Sequence, residues 1–211
     1  NGIQILRRSA EFEVNEFSSF KFPHSLDNLR WSEYANELIN SAAFISITEN
    51  ANVSFSIEDR KSTLVPEALF TNETVQSNFE FLFGDSSNLE LKTSKIEPLG
   101  AVAIYSVPKE LNALLESPVK CSLVNWLSLA AGNEGTQVRC HISETEFALV
   151  ITNGRKLLFS NWFSYQKADD VLYFLMATLE TQKILHSEIE LTLSGEVNKG
   201  DEIHSAVTKF I

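Results

Sequence analysis

Long apolar stretches and cysteines are both scarce in this sequence of 211 residues. No apolar run reaches the roughly 18 residues that a helix needs to span a bilayer, so we expect no membrane insertion. Cys121 and Cys140 are the only cysteines, which is too few for a disulfide framework in a chain of this size. The sequence therefore predicts two buried, reduced thiols in a cytoplasmic protein.

Positive charge is also in short supply. The chain carries 17 Lys and Arg residues against 28 Asp and Glu residues, for a formal net charge of −11. A protein that binds nucleic acid needs a basic stripe to replace the counterions on the phosphates. Docking on an anionic membrane needs basic residues in the same way. The charge balance therefore argues against both nucleic-acid binding and docking on a membrane surface.

Glycine is sparse, with eight residues in the chain. Loops that cradle phosphates need glycines, because a Cβ blocks the close approach of backbone N–H groups. The spacing of Gly195 and Gly200 is similar to that of a phosphate-binding loop, but Asp201 stands where a lysine is required. The carboxylates of Asp201 and Glu202 would repel a phosphate, so this segment does not predict a nucleotide site.

Catalytic and metal-binding patterns are missing as well. The histidines are scattered without metal-site spacing, and no Gly-x-Ser-x-Gly elbow occurs. Asp169-Asp170 can be read as a metal pair, but their place in the first turn of an expected helix favours stabilisation by the helix dipole. Trp31, Trp126 and Trp162 are interpreted as core or edge packing. We therefore predict no catalytic residues, no metal site and, on balance, no enzyme.

The sequence does contain a clear alternation of strands and helices, which is most regular in its second half. Asn153-Gly154 is a strong hairpin signal, because both central positions of a type I′ turn need a positive φ. The surrounding apolar pattern predicts a three-stranded meander, an amphipathic helix and a further strand. These elements are expected at Gln137–Ile142, Glu146–Thr152, Arg155–Phe163, about Lys167–Glu180 and Ile189–Leu193. The apolar face of the helix is expected to comprise Ala168, Val171, Leu172, Leu175 and Leu179.

The first half is less regular but has the same ingredients. The pattern predicts strands at Ile3–Leu6, Phe44–Ile47, Val53–Ile57, Ser62–Val65, Leu89–Ile96 and Ala101–Tyr105. Because Ala101–Tyr105 is apolar almost throughout, we expect it to be buried on both faces. Helices are expected from Ser25 or Asp27 to Ala42, from Thr71 or Asn72 to Phe83, from Ser106, and over Cys121–Ala131.

The two halves resemble each other. Aligning Asn1-Gly2 with Asn153-Gly154 brings extended segments and the helices after them into correspondence. This predicts two α/β subdomains, residues 1–118 and 119–211, with a boundary at Ser117-Pro118. A hairpin turn at the first residue implies a preceding partner strand, and Glu202–Phe210 reads as the opening of a helix. We therefore expect both ends of the chain to be truncated.

Four strings carry a family resemblance that covers nearly the whole chain. They are Ser62–Phe70, Ala103–Pro108, Lys156–Tyr165 continuing to Asp170–Leu175, and Glu190–Glu196. In this order they resemble a family of uncharacterised bacterial proteins, a domain of unknown function whose fold is similar to actin-like ATPases. The resemblance implies an α/β protein in which two ribonuclease-H-like subdomains with mixed sheets face each other across a cleft.

The same resemblance implies where a nucleotide would lie. Active members of the actin-like superfamily bind ATP and a divalent metal in the cleft, using a phosphate loop in the first hairpin of each half and a glycine-rich adenosine segment. The matching cleft candidates here are Ser143, Glu144, Thr145, Ser194, Gly195 and Glu196. The first three form a turn with an acid but no glycine, and the last three hold one glycine where active members usually have two adjacent ones. We therefore expect a degenerate cleft without a cofactor, as in a pseudo-ATPase.

Three functions are compatible with this pattern. The leading prediction is a non-catalytic scaffold or protein-interaction module with a protein partner, because the two-lobed pattern is kept while phosphate-binding glycines are not found. The alternative is a weak ATP-binding ATPase or kinase-like enzyme whose other phosphate loop lies upstream of Asn1. A third hypothesis is a sensor of a small molecule or peptide that uses the cleft between the lobes.

Overall fold

The structure is a computed structural model that describes residues 2–8, 14–21, 28–48, 55–58, 60–115, 119–131 and 133–211. Its first elements are β1 (Gly2–Arg8) and β2 (Val14–Lys21), which pair antiparallel, followed by α1 (Asn28–Ile39) and α2 (Ala42–Thr48). The turn proposed at Asn1 and the helix caps proposed at Ser25 and Asp27 lie outside the described residues.

The strand expected at Phe44–Ile47 is wrong, because these residues belong to α2. The hydroxyl of Ser41 accepts a hydrogen bond from the Phe44 N–H at 3.1 Å, and the Ser41 carbonyl accepts from the Ile45 N–H at 3.0 Å. Ser41 therefore caps a new helix directly after α1. Within that helix Phe44 is buried while Ile45 is exposed, so the apparent alternation of the sequence reflects a helix face.

The middle of the chain forms a small antiparallel sheet. Its strands are β4 (Ser62–Pro66), β5 (Leu89–Ile96) and β6 (Ala101–Pro108), in the order β4-β6-β5, and α3 (Val75–Phe83) lies between β4 and β5 in sequence. The side chains of β6 are buried from Ala101 to Val107. This confirms that the apolar run forms a central strand covered on both faces.

Two boundaries differ from the sequence prediction near the middle of the chain. The helix expected from Ser106 begins later, as α4 (Lys109–Leu114), because Pro108 is extended with ψ 130° and still pairs with Leu89 in the sheet. The helix expected from Cys121 begins at Ser122, as α5 (Ser122–Ala130). It is preceded by a strand that the sequence did not predict. That strand has three residues and is followed directly by the helix, so it is too short to show a periodic pattern of apolar residues.

That strand is β7 (Val119–Cys121), and it pairs parallel with β3 (Phe55–Ile57). The predicted subdomain boundary at Ser117-Pro118 falls outside the described residues and stays a prediction. The pairing of β3 with β7 joins segments on either side of that position. Both strands contribute to one apolar core that also includes Ile96, Tyr105, Val107 and Leu127.

The second half follows the sequence prediction closely. Its elements are β8 (Thr136–Ile142), β9 (Glu146–Asn153), β10 (Lys156–Ser164), α6 (Ala168–Thr181), β11 (Ile189–Gly195) and α7 (Glu202–Thr208). The strands form a mixed sheet in the order β10-β9-β8-β11, in which β11 runs parallel to β8. The meander, crossover helix and parallel strand are therefore confirmed. Of the predicted apolar face of α6, Val171, Leu175 and Leu179 are buried in the core, whereas Ala168 and Leu172 are half-buried.

Candidate functional site

The two groups of predicted cleft residues meet at one end of the second sheet. Ser143, Glu144 and Thr145 form the turn between β8 and β9, and Ser194, Gly195 and Glu196 end and follow β11. Ile142 is the parallel-ladder partner of Gly195 and accepts a hydrogen bond from the Glu196 N–H at 2.7 Å. The carboxyl ends of neighbouring parallel strands are where ligands bind in open α/β sheets, so this is the candidate functional site.

Gly195 is a glycine for a structural reason. Its φ is +86°, and a Cβ added at this position would lie 2.1 Å from the carbonyl oxygen of Ile142. The contact is with backbone, which cannot move aside as a flexible side chain can. Glycine is therefore required for the close approach of β11 to β8, whether or not a ligand binds there.

Hydrogen bonds within the fold hold the turn at Ser143–Thr145. The Ser143 N–H donates to the Glu146 carbonyl at 2.8 Å, and the Tyr165 N–H donates to the Thr145 carbonyl at 3.0 Å. The hydroxyl of Tyr165 also donates to the Ser143 carbonyl at 2.6 Å. The backbone amide of Ser143 is thus engaged by the hairpin itself, which differs from a loop that presents its N–H groups to phosphates.

Glu58, which follows β3, reaches across to this turn. Its carboxylate accepts hydrogen bonds from the Ser143 hydroxyl and from Nε2 of His141, the latter at 3.0 Å. Burial raises the pKa of Glu58, but the hydrogen bonds from His141 and Ser143 together outweigh it and hold that pKa below its ordinary value. Glu58 is therefore a stable anion. On the other side of the imidazole ring, Nδ1 of His141 lies 3.0 Å from the hydroxyl of Ser194.

Aromatic side chains fix the orientation of His141. The indole of Trp126, on α5, stacks on the imidazole with ring centroids 4.3 Å apart. Trp162, on β10, packs against Trp126 at 5.7 Å. The prediction that these two tryptophans serve packing is consistent with these contacts. The stacked indole of Trp126 restricts the rotation of the imidazole that links β8 to Glu58.

The cavity beside the turn is acidic. It has a volume of about 350 Å³ and is lined by Glu58, Arg60, Ser143, Glu144, Thr145, Glu146 and Trp162. The guanidinium of Arg60 forms an ion pair with Glu146, which ties the segment after β3 to the start of β9. Among these lining residues the carboxylates outnumber the cation by three to one. The local field therefore disfavours an anion such as a nucleotide phosphate.

The other sequence hypotheses can be placed in the structure. Asp170 Oδ2 accepts hydrogen bonds from the backbone N–H groups of Gln166 and Lys167, at 2.9 and 3.2 Å. Asp170 therefore stabilises the start of α6. The described residues contain no group of His, Cys, Asp and Glu side chains arranged to hold a metal ion. Both cysteines are buried, as predicted. In the part of the chain that the structure describes, no helix is long and apolar enough to cross a membrane.

Sequence reasoning missed the residues that complete this site, namely Glu58, Arg60 and His141. Glu58 and Arg60 come directly after a predicted strand, a position where site residues of α/β proteins collect, and this was the available signal. Their partners are 83 to 86 residues away in the sequence. A separation of that size leaves no periodic pattern to detect, so the pairing could be found only from the fold.

Comparison with known proteins identifies the family and the fold. A family model described as "Protein of unknown function (DUF3822)" matches residues 10–211. The sequence matches no curated protein. A Bacteroides thetaiotaomicron protein described as having an actin-like ATPase fold and unknown function is similar with a TM-score of 0.81 and 16% identity, covering 100% of this chain and 84% of that chain.

A second similar structure is the PilM-PilN type IV pilus biogenesis complex. The TM-score is 0.59 and the identity 13%, with 99% of this chain and 82% of that chain covered. At these identities the likeness shows the fold, which is the actin-like ATPase fold. The fold and family resemblance predicted from the four sequence strings are thereby confirmed.

Proposed function

The chain belongs to the DUF3822 family of proteins of unknown function, and we propose that it is a non-catalytic, protein-binding module with an actin-like fold. Its cleft keeps the position of a nucleotide site but is closed to nucleotides. A pseudo-ATPase of this kind uses neither ATP nor a metal. Its role in this proposal is to bind a partner protein. Two buried thiols suit a reducing compartment, so we place this role in the cytoplasm.

The observation that carries the proposal is the position of Glu58. Its carboxylate bonds to Ser143 in one candidate loop and, through His141, connects to Ser194 in the other. A phosphate group entering between the loops would have to displace this anion from its hydrogen-bond donors or stand beside it. Either route has an electrostatic cost, because like charges at short range repel strongly where water is partly excluded.

Groups that could compensate for that cost are already engaged within the fold. The Glu196 N–H is used by Ile142, the Ser143 N–H is used by Glu146, and Gly195 is packed against the backbone of β8. Stabilisation of phosphates in water-poor sites relies on backbone N–H groups and cations aimed at the oxygens. At this site Arg60 is already paired with Glu146.

Two features support a protein as the partner. The similar PilM structure belongs to a complex with another protein, PilN, so this fold serves protein binding in at least that case. Large apolar side chains are exposed on the described surface, including Leu69, Phe81, Tyr173 and Leu185. Of these, Tyr173 and Leu185 line one groove, and exposed apolar side chains that lie together are characteristic of surfaces that contact other proteins.

Thermal unfolding in the presence of nucleotide tests the proposal. A ligand present at about 100 times its Kd stabilises a protein by about 2.7 kcal/mol, which is easily seen as a rise in melting temperature. We expect no rise with Mg·ATP, Mg·ADP or Mg·GTP at millimolar concentration. A nucleotide-dependent rise that the Ser143→Glu variant abolishes would overturn the non-catalytic assignment and favour the ATPase or kinase-like alternative.

A further inference from the structure

Helix α6 carries further apolar side chains beside its core face that are open to solvent. The core face comprises Val171, Leu175 and Leu179, all buried. Beside it, Leu172, Tyr173 and Met176 line an open groove, and Met176 also packs against the edge of the core. Tyr173 is 67% exposed, which is a large apolar area to leave in water.

The chain after α6 builds the other wall of this groove. Lys183 has a φ of +57°, the left-handed conformation with which helices commonly end. The Lys183 N–H then donates to the Glu180 carbonyl at 3.0 Å, and the Ile184 N–H donates to the Leu179 carbonyl at 2.9 Å. As a result Leu185, which is 60% exposed, lies alongside the last turns of α6. The groove between these walls has a volume of about 640 Å³.

Acidic residues stand at both ends of the groove. Asp169 lies in the first turn of α6 and Glu180 in its last turn, and both side chains line the groove. The two residues are eleven positions apart in the helix, which corresponds to about 16 Å at 1.5 Å per residue. Lys167 lies 3.9 Å from Asp169, on the exposed surface, where the pair is weak. The groove therefore has an apolar floor with a carboxylate at each end, and the imidazole of His186 also lines it, next to Leu185.

We propose that this groove, between the outer face of α6 and residues 184–186, binds a basic amphipathic helix of a partner protein. This deepens the proposed function, on which it rests for a protein being the ligand. The apolar side chains of the groove follow the pitch of α6, so a second helix can pack its own apolar ridge along them over about three turns. Lys or Arg residues at the two ends of that helix would meet Asp169 and Glu180.

The charges select this partner over two other occupants. In a symmetric dimer formed through the groove, each copy would present the same acidic ends to the other. Each copy also carries a net charge of −11, so association of two copies is opposed over the whole surface. An anionic membrane surface would be repelled for the same reason. A basic helix satisfies both the apolar floor and the acidic ends.

Two synthetic peptides provide the test. Each has about 16 residues, enough for the length of the groove, with leucines along one helix face. The first carries lysines at both ends and the second carries glutamates at the same positions. Binding of the fluorescent peptides to the 211-residue chain is followed by anisotropy at low salt. We expect saturable binding of the lysine peptide and at least about tenfold weaker binding of the glutamate peptide.

Variants of the chain locate the binding site. Leu185→Asp should weaken the binding of the lysine peptide about tenfold or more, because it places a charge on the apolar wall of the groove. The matched control is Leu129→Asp on α5, which alters a side chain of similar exposure, 63%, away from the groove and should leave binding unchanged. Glu180→Lys should reduce the difference in affinity between the lysine and glutamate peptides. The variant should still fold, because a cation is favourable at the carboxyl end of a helix.

Several outcomes would overturn the assignment. The groove would not be the binding site if the two peptides bound with equal affinity, or if wild type and Leu185→Asp bound the lysine peptide equally well. Sedimentation that shows a dimer dissociated by Leu185→Asp assigns the face to a second copy instead. If the lysine peptide fails to bind and Mg·ATP also has no effect, the groove is rejected while the non-catalytic role stands. If Mg·ATP binds, the proposed function fails independently of the peptide result.

Discussion

The carboxylate of Glu58 lies 3.0 Å from Nε2 of His141, although the two residues are 83 positions apart. An ionised carboxylate can only accept a hydrogen bond, so Nε2 carries the proton. Nδ1 of the same ring faces the hydroxyl of Ser194 at 3.0 Å. One imidazole thus joins the segment after β3, the end of β8 and the end of β11. This network lies at the sheet end where the family resemblance predicts a phosphate site.

The first prediction concerns the contribution of Glu58 to stability and its dependence on pH. Because the pKa of Glu58 is lowered in the folded protein, its stabilisation is fully present above its unfolded value of 4.5 and is lost as the pH falls through the folded pKa. Its side chain is 38% exposed, so solvent screens the interaction. Glu58→Gln should therefore lower the free energy of unfolding by about 1 kcal/mol at pH 7.

Urea unfolding at several pH values checks this. The difference between wild type and Glu58→Gln should shrink as the pH falls below about 5, because the carboxylate of the unfolded chain is protonated first and that of the folded protein only at lower pH. Glu188→Gln, an exposed carboxylate before β11, is the control and should change the free energy of unfolding by less than about 0.5 kcal/mol. A Glu58→Gln difference that stays constant from neutral to acid pH would contradict the hydrogen-bond network.

The second prediction compares two glycines that both have a positive φ. Gly195 has a φ of +86° and a Cβ position 2.1 Å from the Ile142 oxygen, whereas Gly154 has a φ of +56° with nothing within 4 Å. Gly154→Ala should lower the free energy of unfolding by about 1 kcal/mol, because of backbone strain alone. Gly195→Ala should lower the free energy of unfolding by about 3 kcal/mol or more, because the added methyl group also forces β11 away from β8. Similar losses for the two variants in urea unfolding would argue against the close approach.

The third prediction concerns the thiols. Burial raises the pKa of Cys140 to about 12, so almost none of it is thiolate at pH 8. Cys121 is fully buried as well. In the native protein neither cysteine should react with Ellman's reagent over the time in which a small free thiol reacts completely. Both should react once the chain is unfolded in guanidinium. Rapid labelling of one thiol in the native state would show that its side chain is reachable from solvent.

The sequence was most informative where local patterns and tertiary packing agree. Residues 147–152 alternate little because β9 is central and buried on both faces, and Asn153-Gly154 supplies the turn that joins it to β10. The residues of α6 that recur at helical spacing pack on that sheet. Hairpin chemistry and the crossover helix together determine the order β10-β9-β8-β11.

The pattern failed where a local contact overrides it or where contacts are remote in sequence. The cap at Ser41 turned an apparent strand into α2, and Pro108 kept its extended conformation at the end of β6. The candidate loops were identified from the family resemblance and do meet at one sheet end. The contact between Glu58 and His141, which links these loops, was not found, because it depends on two segments brought together only by the fold.

Isothermal titration of Mg·ATP into the wild-type chain, with the Ser143→Glu variant in parallel, measures whether a nucleotide binds at this sheet end. Because Glu58 bonds to the turn and the Ser143 and Glu196 N–H groups are already engaged, we expect no saturable heat for either protein with nucleotide at about 1 mM, which corresponds to a binding free energy weaker than about 4.1 kcal/mol. Saturable binding to the wild type with a micromolar Kd, lost in Ser143→Glu, would contradict this expectation.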